Sequence, residues 1–203
     1  MVRVRAQQAR SIATFERLLR AAGELFDTRG PGPTTTEAIA QGAGVSIGTV
    51  YHFFPNKEAI ETTITTRFHE VLTARLEPLF HRDSLRLSAE QICVQSIDAL
   101  EGAVTEVPGA RGLLASTLGR PRGAAVSYLD RWLTNIEQFL DRAAPGLDPT
   151  RRRAAAETYV TLTGALVVAA RHPDADLRAR LDETRSVLIG YTRQLQHEAN
   201  AMT

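Results

Sequence analysis

The sequence predicts an all-α chain of about nine helices, with a small three-helix unit at the N-terminus and a larger helical unit behind it. Three observations carry that prediction. Apolar residues recur at three- and four-residue spacing along most of the chain, while strand-like alternation is nearly absent. Helix caps and Gly/Pro breaks recur at helix-length intervals. The chain has 203 residues, 43% of them apolar, which is enough for one small and one medium domain.

The first helix is expected over Ser11 to Thr28, with Ile12, Phe15, Leu19, Ala22 and Leu25–Phe26 on one face. Gly30-Pro31-Gly32-Pro33 stops it, because proline cannot continue the hydrogen-bond ladder. The Thr34–Thr36 run can cap a short second helix, Thr36 to about Ala43. Gly44 breaks that helix, Ser46 caps a third over Ile47 to Phe53, and Pro55 ends it. Asn56 can cap a fourth that continues toward Glu77, before Pro78.

Ser88-Ala89-Glu90-Gln91 has the form of a capping box and opens a helix to about Val104. Pro108 suits the first position of a shorter helix ending near Leu118, followed by the Gly119–Gly123 break. Ala124 to Ala144 is amphipathic, with Leu129, Trp132–Leu133, Ile136 and Phe139–Leu140 on one face. Asp148-Pro149 opens a helix to Arg171, and His172-Pro173-Asp174 separates it from a last helix, Ala175 to about Glu198.

The totals exclude several classes. The single cysteine, Cys93, cannot staple the chain, and no Cys/His cluster has metal spacing. No metal and no cofactor is therefore expected, and the natural compartment is the reducing cytoplasm. Met1 to Arg10 has charge but no apolar core, unlike a secretory signal. The apolar run Thr158 to Ala170 is too short to span a bilayer, which takes roughly 20 residues, so no membrane partner is expected. Net charge is +1, with a mild basic bias near the N-terminus from Arg3, Arg5, Arg10, Arg17 and Arg20. Charge alone does not point to nucleic acid.

The stretch Thr34 to Lys57 does. Ile39, Ala40, Val45, Val50 and Phe54 can pack two short helices across a turn at Ala43-Gly44-Val45. With Val50 and Phe54 inward, Ile47, Gly48, Tyr51 and His52 form one outward stripe. Glycine lets another surface approach closely, while the phenol and imidazole can donate to phosphates or base edges. Ser46 and Thr49 add hydroxyls at a helix N-terminus, where free N–H groups favour phosphate.

The run Gly44-Val45-Ser46-Ile47-Gly48-Thr49-Val50-Tyr51-His52-Phe53-Phe54-Pro55-Asn56-Lys57 resembles the signature of the tetracycline-repressor (TetR) family. Thr35 to Ala40 is similar to the segment that precedes it there. The direct likeness covers about Ile12 to Ile60, and the rest is likeness of architecture. It implies a homodimeric, operator-binding regulator with a helix-turn-helix domain over residues 1–56. Residues 57–203 would form the effector-binding and dimerisation domain. By that resemblance Thr35, Ser46, Thr49, Tyr51 and Lys57 touch the DNA backbone. Ile47, Gly48, Tyr51 and His52 reach base edges in the major groove. Two positions depart from the family pattern. Phe53 stands where His is common, and Ile47 stands where Lys, Arg or Gln often sits. Ile47 can meet a thymine methyl but cannot hydrogen-bond guanine, so sequence preference would lean on Tyr51, His52 and DNA shape. Arg3, Arg5 and Arg10 could extend the phosphate contacts as a basic arm.

Repression of a pseudo-palindromic, double-stranded operator, relieved by a small and mostly apolar effector, is the family's usual mode. The last two helices suit a homodimer interface: Thr158 to Ala170 is apolar almost all round and carries the small residues Gly164 and Ala165, and the final helix presents Leu177, Leu181, Thr184, Leu188, Tyr191 and Leu195. Cys93, Ile97, Leu113, Thr117, Trp132, Ile136, Tyr159 and Thr163 could line an effector cavity. No H-E-x-x-H or P-loop string is present, and the G-x-S-x-G spacing of Gly44 to Gly48 falls inside the helix-turn-helix string, so nothing favours an enzyme. The competing reading is a helical small-molecule-binding or adaptor protein with a vestigial DNA head. The intact string over 44–57 argues against it.

Overall fold

The computed structural model describes residues 2–80, 87–117, 124–169 and 177–201. Among them the chain forms nine helices: α1 (Val2–Arg29), α2 (Thr36–Ala43), α3 (Ile47–Phe53), α4 (Lys57–Phe80), α5 (Ala89–Glu106), α6 (Ala110–Thr117), α7 (Ala124–Ala143), α8 (Pro149–Ala169) and α9 (Leu177–Ala201). No strand occurs among the described residues.

The caps explain where the helices begin. Thr35 accepts from the Ala38 N–H at 3.2 Å, Ser46 from Thr49 N–H at 3.2 Å, and Asn56 from Ala59 N–H at 2.9 Å. Ser88 and Gln91 complete the capping box reciprocally, at 3.2 and 2.8 Å. Asp148 accepts from Arg151 N–H at 3.0 Å, two residues into the turn that Pro149 opens. Gly30 ends α1 at φ 83°, and the turn is pinned by Thr34 Oγ1, which donates to Gly30 O at 2.7 Å.

Three boundaries differ from expectation. Helix α1 starts at Val2, nine residues before Ser11, and Ile12 is 62% exposed rather than on the buried face. Leu18, Leu19, Ala22 and Phe26 are the buried set, so the inward face turns away from Ile12. Pro78 lies inside α4, which runs on to Phe80. So near a C-terminus a missing N–H costs one bond, and Leu76 and Leu79 are buried on either side of it. Helix α6 opens at Ala110 rather than at Pro108, because Gly109 is left-handed at φ 91°. The break at Gly119–Gly123 and the linker at His172–Asp174 lie outside the described residues.

One apolar core runs through the molecule. At the N-terminal end α1 packs on α2, with Ile39, Ala40, Val50 and Phe54 closing over Leu18, Leu19 and Phe26. Helix α4 leaves this head and packs on α5, α6 and α7, while α7 packs on α8 and α5 on α9. Helix α1 also packs directly on α6, so the head meets the larger helical body at two places rather than through α4 alone.

Candidate nucleic-acid interface and regulatory cavity

The turn between α2 and α3 holds the outward stripe in place. Gly44 sits at φ 64°, ψ 40°, and its N–H donates to Gln41 O at 3.1 Å, while Val45 N–H donates to Ala40 O at 3.0 Å. Ile39 and Val50 are fully buried and Phe54 nearly so. That leaves Ser46, Ile47, Gly48, Tyr51 and His52 exposed on α3, with Thr49 half-buried. Ile47 is 38% and Tyr51 52% exposed, which is unusual for residues this apolar.

The polar groups around the stripe are partly engaged. Ser46 Oγ and Thr49 Oγ1 are 2.9 Å apart. One hydroxyl hydrogen is spent between them and the other is left to donate outward. Tyr51 OH lies 3.4 Å from Thr36 Oγ1, which links α3 to the start of α2. Glu37, in the first turn of α2, titrates below the usual carboxylate range, held there by its own backbone N–H and then by the Thr35 hydroxyl. Lys57 does something the sequence did not suggest. Its Nζ donates to Pro31 O at 2.7 Å and to Gly32 O at 3.4 Å, so it ties the start of α4 to the turn after α1.

Phe53, the departure from the family pattern, is half-buried and faces α1. Its ring centroid is 6.0 Å from that of Phe15, which stacks on Phe54 at 5.2 Å. The substitution therefore falls on the inner flank of α3. Arg67 of α4 lies over Phe15 at 5.6 Å and pairs with Glu16 at 2.7 and 2.5 Å, which depresses the Glu16 carboxyl's pKa.

The second junction, between α1 and α6, is built from backbone. The Asp27 carboxylate accepts from Gly109 N–H at 2.8 Å and from Gly112 N–H at 2.9 Å, using both oxygens. It caps a helix 82 residues away, where a negative charge also meets the positive end of the helix dipole. Three glycines make the approach possible. A Cβ at Gly112 would lie 2.0 Å from Phe26 O, one at Gly23 2.5 Å from Pro108 C and O, and one at Gly109 2.8 Å from Gly23 Cα.

Two neighbouring cavities lie among the described residues of the body. The inner one, about 30 Å³, is lined by residues of α5, α7, α8 and α9. Six of the residues expected from sequence meet there: Cys93, Ile97, Trp132, Ile136, Tyr159 and Thr163. Leu113 is buried in α6 but is not part of this lining, and the side chain of Thr117 lies outside the described set. The lining residues that sequence reasoning missed are Ile92, Ser96, Leu100, Phe139 and Leu188. The first three extend the Cys93–Ile97 stripe at four-residue spacing, a signal already present in α5.

Two polar side chains of the lining, Cys93 and Tyr159, meet Thr192 of α9 behind them. Cys93 Sγ lies 3.8 Å from Tyr159 OH and 3.5 Å from Thr192 Oγ1, Tyr159 OH makes a short contact with Thr192 Oγ1, and Thr192 donates to Leu188 O at 2.7 Å. Burial pushes the Cys93 thiol and the Tyr159 phenol up, so both are neutral near pH 7. The outer cavity, about 260 Å³, is lined by Leu87, Ala89, Ile92, Phe139, Arg142, Ala143 and Gln196.

Among the described residues no cluster of His, Cys, Asp and Glu has metal-binding geometry, and no helix is long and apolar enough to cross a membrane.

Comparison with known proteins agrees with this geometry. Residues 18–60 match the family described as bacterial regulatory proteins, tetR family, and residues 90–191 match the tetracyclin repressor-like C-terminal domain. An uncharacterized HTH-type transcriptional regulator of Mycobacterium tuberculosis is 26% identical over 181 residues, covering 83% of this chain and 81% of that one. A TetR-family regulator from Streptomyces coelicolor has a similar structure, at TM-score 0.69 and 16% identity, over 90% of this chain and 96% of the other. So does a TetR-like regulator from Rhodococcus sp. RHA1, at TM-score 0.68 and 19% identity, over 86% and 93%. A gamma-butyrolactone receptor has TM-score 0.67 and 21% identity, over 93% and 99%. With a helix-turn-helix of the right order at one end and a matching C-terminal domain over half its length, the chain belongs to the TetR family of DNA-binding transcriptional regulators.

Proposed function

We propose that the chain acts as a homodimeric repressor that leaves a pseudo-palindromic operator when a small, mostly apolar effector enters the body. Residues 1–56 serve as the DNA-reading head and residues 57–203 as the effector-binding and dimerisation domain. The observation that carries the DNA-contacting part is the α3 stripe, where Ile47, Gly48, Tyr51 and His52 are exposed on a helix anchored from its other side by the fully buried Val50. Thr35, Ser46 and Thr49 supply hydroxyls at the N-termini of α2 and α3, where phosphate is favoured. Lys57 Nζ is engaged with Pro31 O and Gly32 O, which leaves one of its three N–H donors for phosphate.

The dimer reading rests on α9. Val187 is 51% exposed, and a Cβ on Gly190 would meet nothing within 4 Å, so one face of this helix is open and small enough for close approach of a second copy. Two heads on a two-fold axis read two half-sites. Cys93, Ile97, Trp132, Ile136, Tyr159 and Thr163 line the cavity assigned to the effector. A neutral, apolar lining suits an apolar ligand.

Selection of operator sequences from a random DNA library with the purified protein tests the whole reading, because half-site and spacing emerge together. Tyr51→Ala and His52→Ala are each expected to weaken binding to the selected site by about tenfold or more, at unchanged melting temperature. Unchanged affinity in both would overturn the assignment of α3 as the reading helix. Lys57→Ala is a poorer probe, since it also frees the turn after α1. A monomeric mass at micromolar concentration would count against the dimer.

A further inference from the structure

Tyr51 stands 52% exposed on the α3 stripe, yet its phenol is tied back to α2. The Tyr51 OH lies 3.4 Å from Thr36 Oγ1, and Thr36 Oγ1 lies 3.5 Å from Glu37 Oε2. Glu37 is held in turn by its own backbone N–H and by the Thr35 hydroxyl, which keep its carboxyl ionised at neutral pH. Carboxylate, hydroxyl and phenol form a chain of three groups that ends at the reading face.

The hydrogens in this chain can be counted. An ionised carboxylate only accepts, and a threonine hydroxyl has one hydrogen to give. Both contacts are at the long end of hydrogen-bonding range, so charge decides between them. The Thr36 hydrogen is drawn to the Glu37 carboxylate rather than to the neutral phenol oxygen. Thr36 Oγ1 then faces Tyr51 with lone pairs, and the phenol donates to it. Tyr51 also has one hydrogen, and it is spent inward. What the phenol offers outward is a lone pair.

That lone pair selects its partner. Phosphate oxygens only accept, so a phosphate brought to the Tyr51 oxygen would set acceptor against acceptor, with the Glu37 charge behind. The major groove offers donors at two places, the N6 amino group of adenine and the N4 amino group of cytosine, while guanine and thymine present acceptors there. Docking on DNA also expels the water that competes for Thr36 and Tyr51, which strengthens both internal bonds.

We propose that Tyr51 reads an amino-bearing base, adenine or cytosine, as a hydrogen-bond acceptor, and that Thr36 and Glu37 are positioning residues that set its polarity. By resemblance Tyr51 has two roles, on the backbone and on base edges. The hydrogen count assigns it to base edges. This inference rests on the reading of α3 as the helix in the major groove and adds what one of its side chains recognises.

The experiment selects operators from a random duplex library with full-length wild type, Tyr51→Phe, Thr36→Val and Glu37→Gln, with melting temperature as the folding control. Affinities are then measured on the wild-type operator and on its single-base variants. The wild type is expected to demand adenine or cytosine at one position of each half-site, and the selection distinguishes the two. Tyr51→Phe should lose that demand at that position alone. Its affinity should drop by about three- to tenfold on the wild-type operator, and hardly at all where that base is already changed. Thr36→Val keeps the shape of the side chain but frees the phenol hydrogen to turn outward, so guanine or thymine should become acceptable at the same position. Glu37→Gln should move the preference the same way but less far, because its amide can either accept from Thr36 or donate to it. An equal loss on every sequence in Tyr51→Phe would make Tyr51 a phosphate contact and overturn the proposal. So would an unchanged base preference in folded Thr36→Val. Should Tyr51→Phe be silent while Tyr51→Ala weakens binding, α3 remains the reading helix and the role of the hydroxyl falls. A wild-type selection that yields no site would instead strike the reading of α3 itself.

Discussion

The α1–α6 junction and the inner chamber solve opposite packing problems within one core. At the junction no atom can be added: hypothetical Cβ atoms on Gly23, Gly109 and Gly112 all fall under 3.0 Å from backbone of the facing segment. In the chamber about 30 Å³ stays unfilled between large side chains. Interiors pack near crystal density, so both extremes stand out. The difference teaches where rigidity and yield sit. The head is fixed to the body by backbone contact and a carboxylate, while the chamber is bounded by side chains that can change rotamer.

The sharpest way to break that contrast is Gly112→Ala. One carbon placed 2.0 Å from Phe26 O must push α1 and α6 apart, since both partners are backbone. We expect a loss of about 3 kcal/mol or more, at the upper end of overpacking costs, read as a lower urea midpoint. Operator affinity should fall as well, because the head loses its seat. Full stability in this variant would mean that α6 is free to shift, and the contrast with the chamber would vanish.

Asp27→Ala tests the polar half of the same junction. It leaves the Gly109 and Gly112 N–H groups without their carboxylate, and a lost charged cap of this kind costs about 2 kcal/mol. Asp27→Asn keeps one acceptor oxygen and should lose about half as much. The same denaturation series reads both. An Asn variant as damaged as the Ala variant would show that charge, not acceptor count, holds the junction.

Helix α4, which links the two regions, offers a pH test. Burial lowers the pKa of His69 from 6.5 to about 4. Above pH 6.5 the imidazole is neutral in both folded and unfolded chains, and its contribution is fully present. Between pH 6.5 and about 4 the unfolded chain takes up a proton that the folded chain refuses, so stability falls as the pH drops through that window. Glu61, whose pKa burial raises, acts in the opposite sense as the pH falls. The His69→Gln variant isolates the histidine part: the drop in urea midpoint between pH 7 and pH 5 should be smaller than in wild type. An equal drop in both proteins would place His69 in water and α4 outside the tight part of the core.

The head was far more legible in the sequence than the junction. Thr35, Ser46 and Asn56 cap helices within three residues of themselves, so residue type and spacing suffice to find them. Asp27 caps a helix 82 residues away, and nothing in its neighbourhood distinguishes it from a solvent-facing acid. Gly112 lies inside a helix, where glycine reads only as a weak former until the facing backbone is known. The early start of α1 was hidden for another reason: Gln7 to Ala13 are exposed, so that end carries no apolar stripe to read. Six cavity residues were found because amphipathic stripes point inward. Leu113 was grouped with them by its apolar character alone, and only packing separates core from cavity wall.

The smallest effect expected is the most direct check on the chamber. Ser96→Val adds one heavy atom to the protein, as Gly112→Ala does, but places it beside the unfilled space rather than against backbone. Ser96 is half-buried on α5, and exchange of serine for a β-branched residue costs only a few tenths of a kcal/mol in helix propensity. Burying the added methyl returns about 0.8 kcal/mol where room exists. The two nearly cancel, so the urea midpoint should stay within about 0.5 kcal/mol of wild type. A loss near that of Gly112→Ala would mean the space is not accessible to a carbon, and the junction and the chamber would then be equally unyielding.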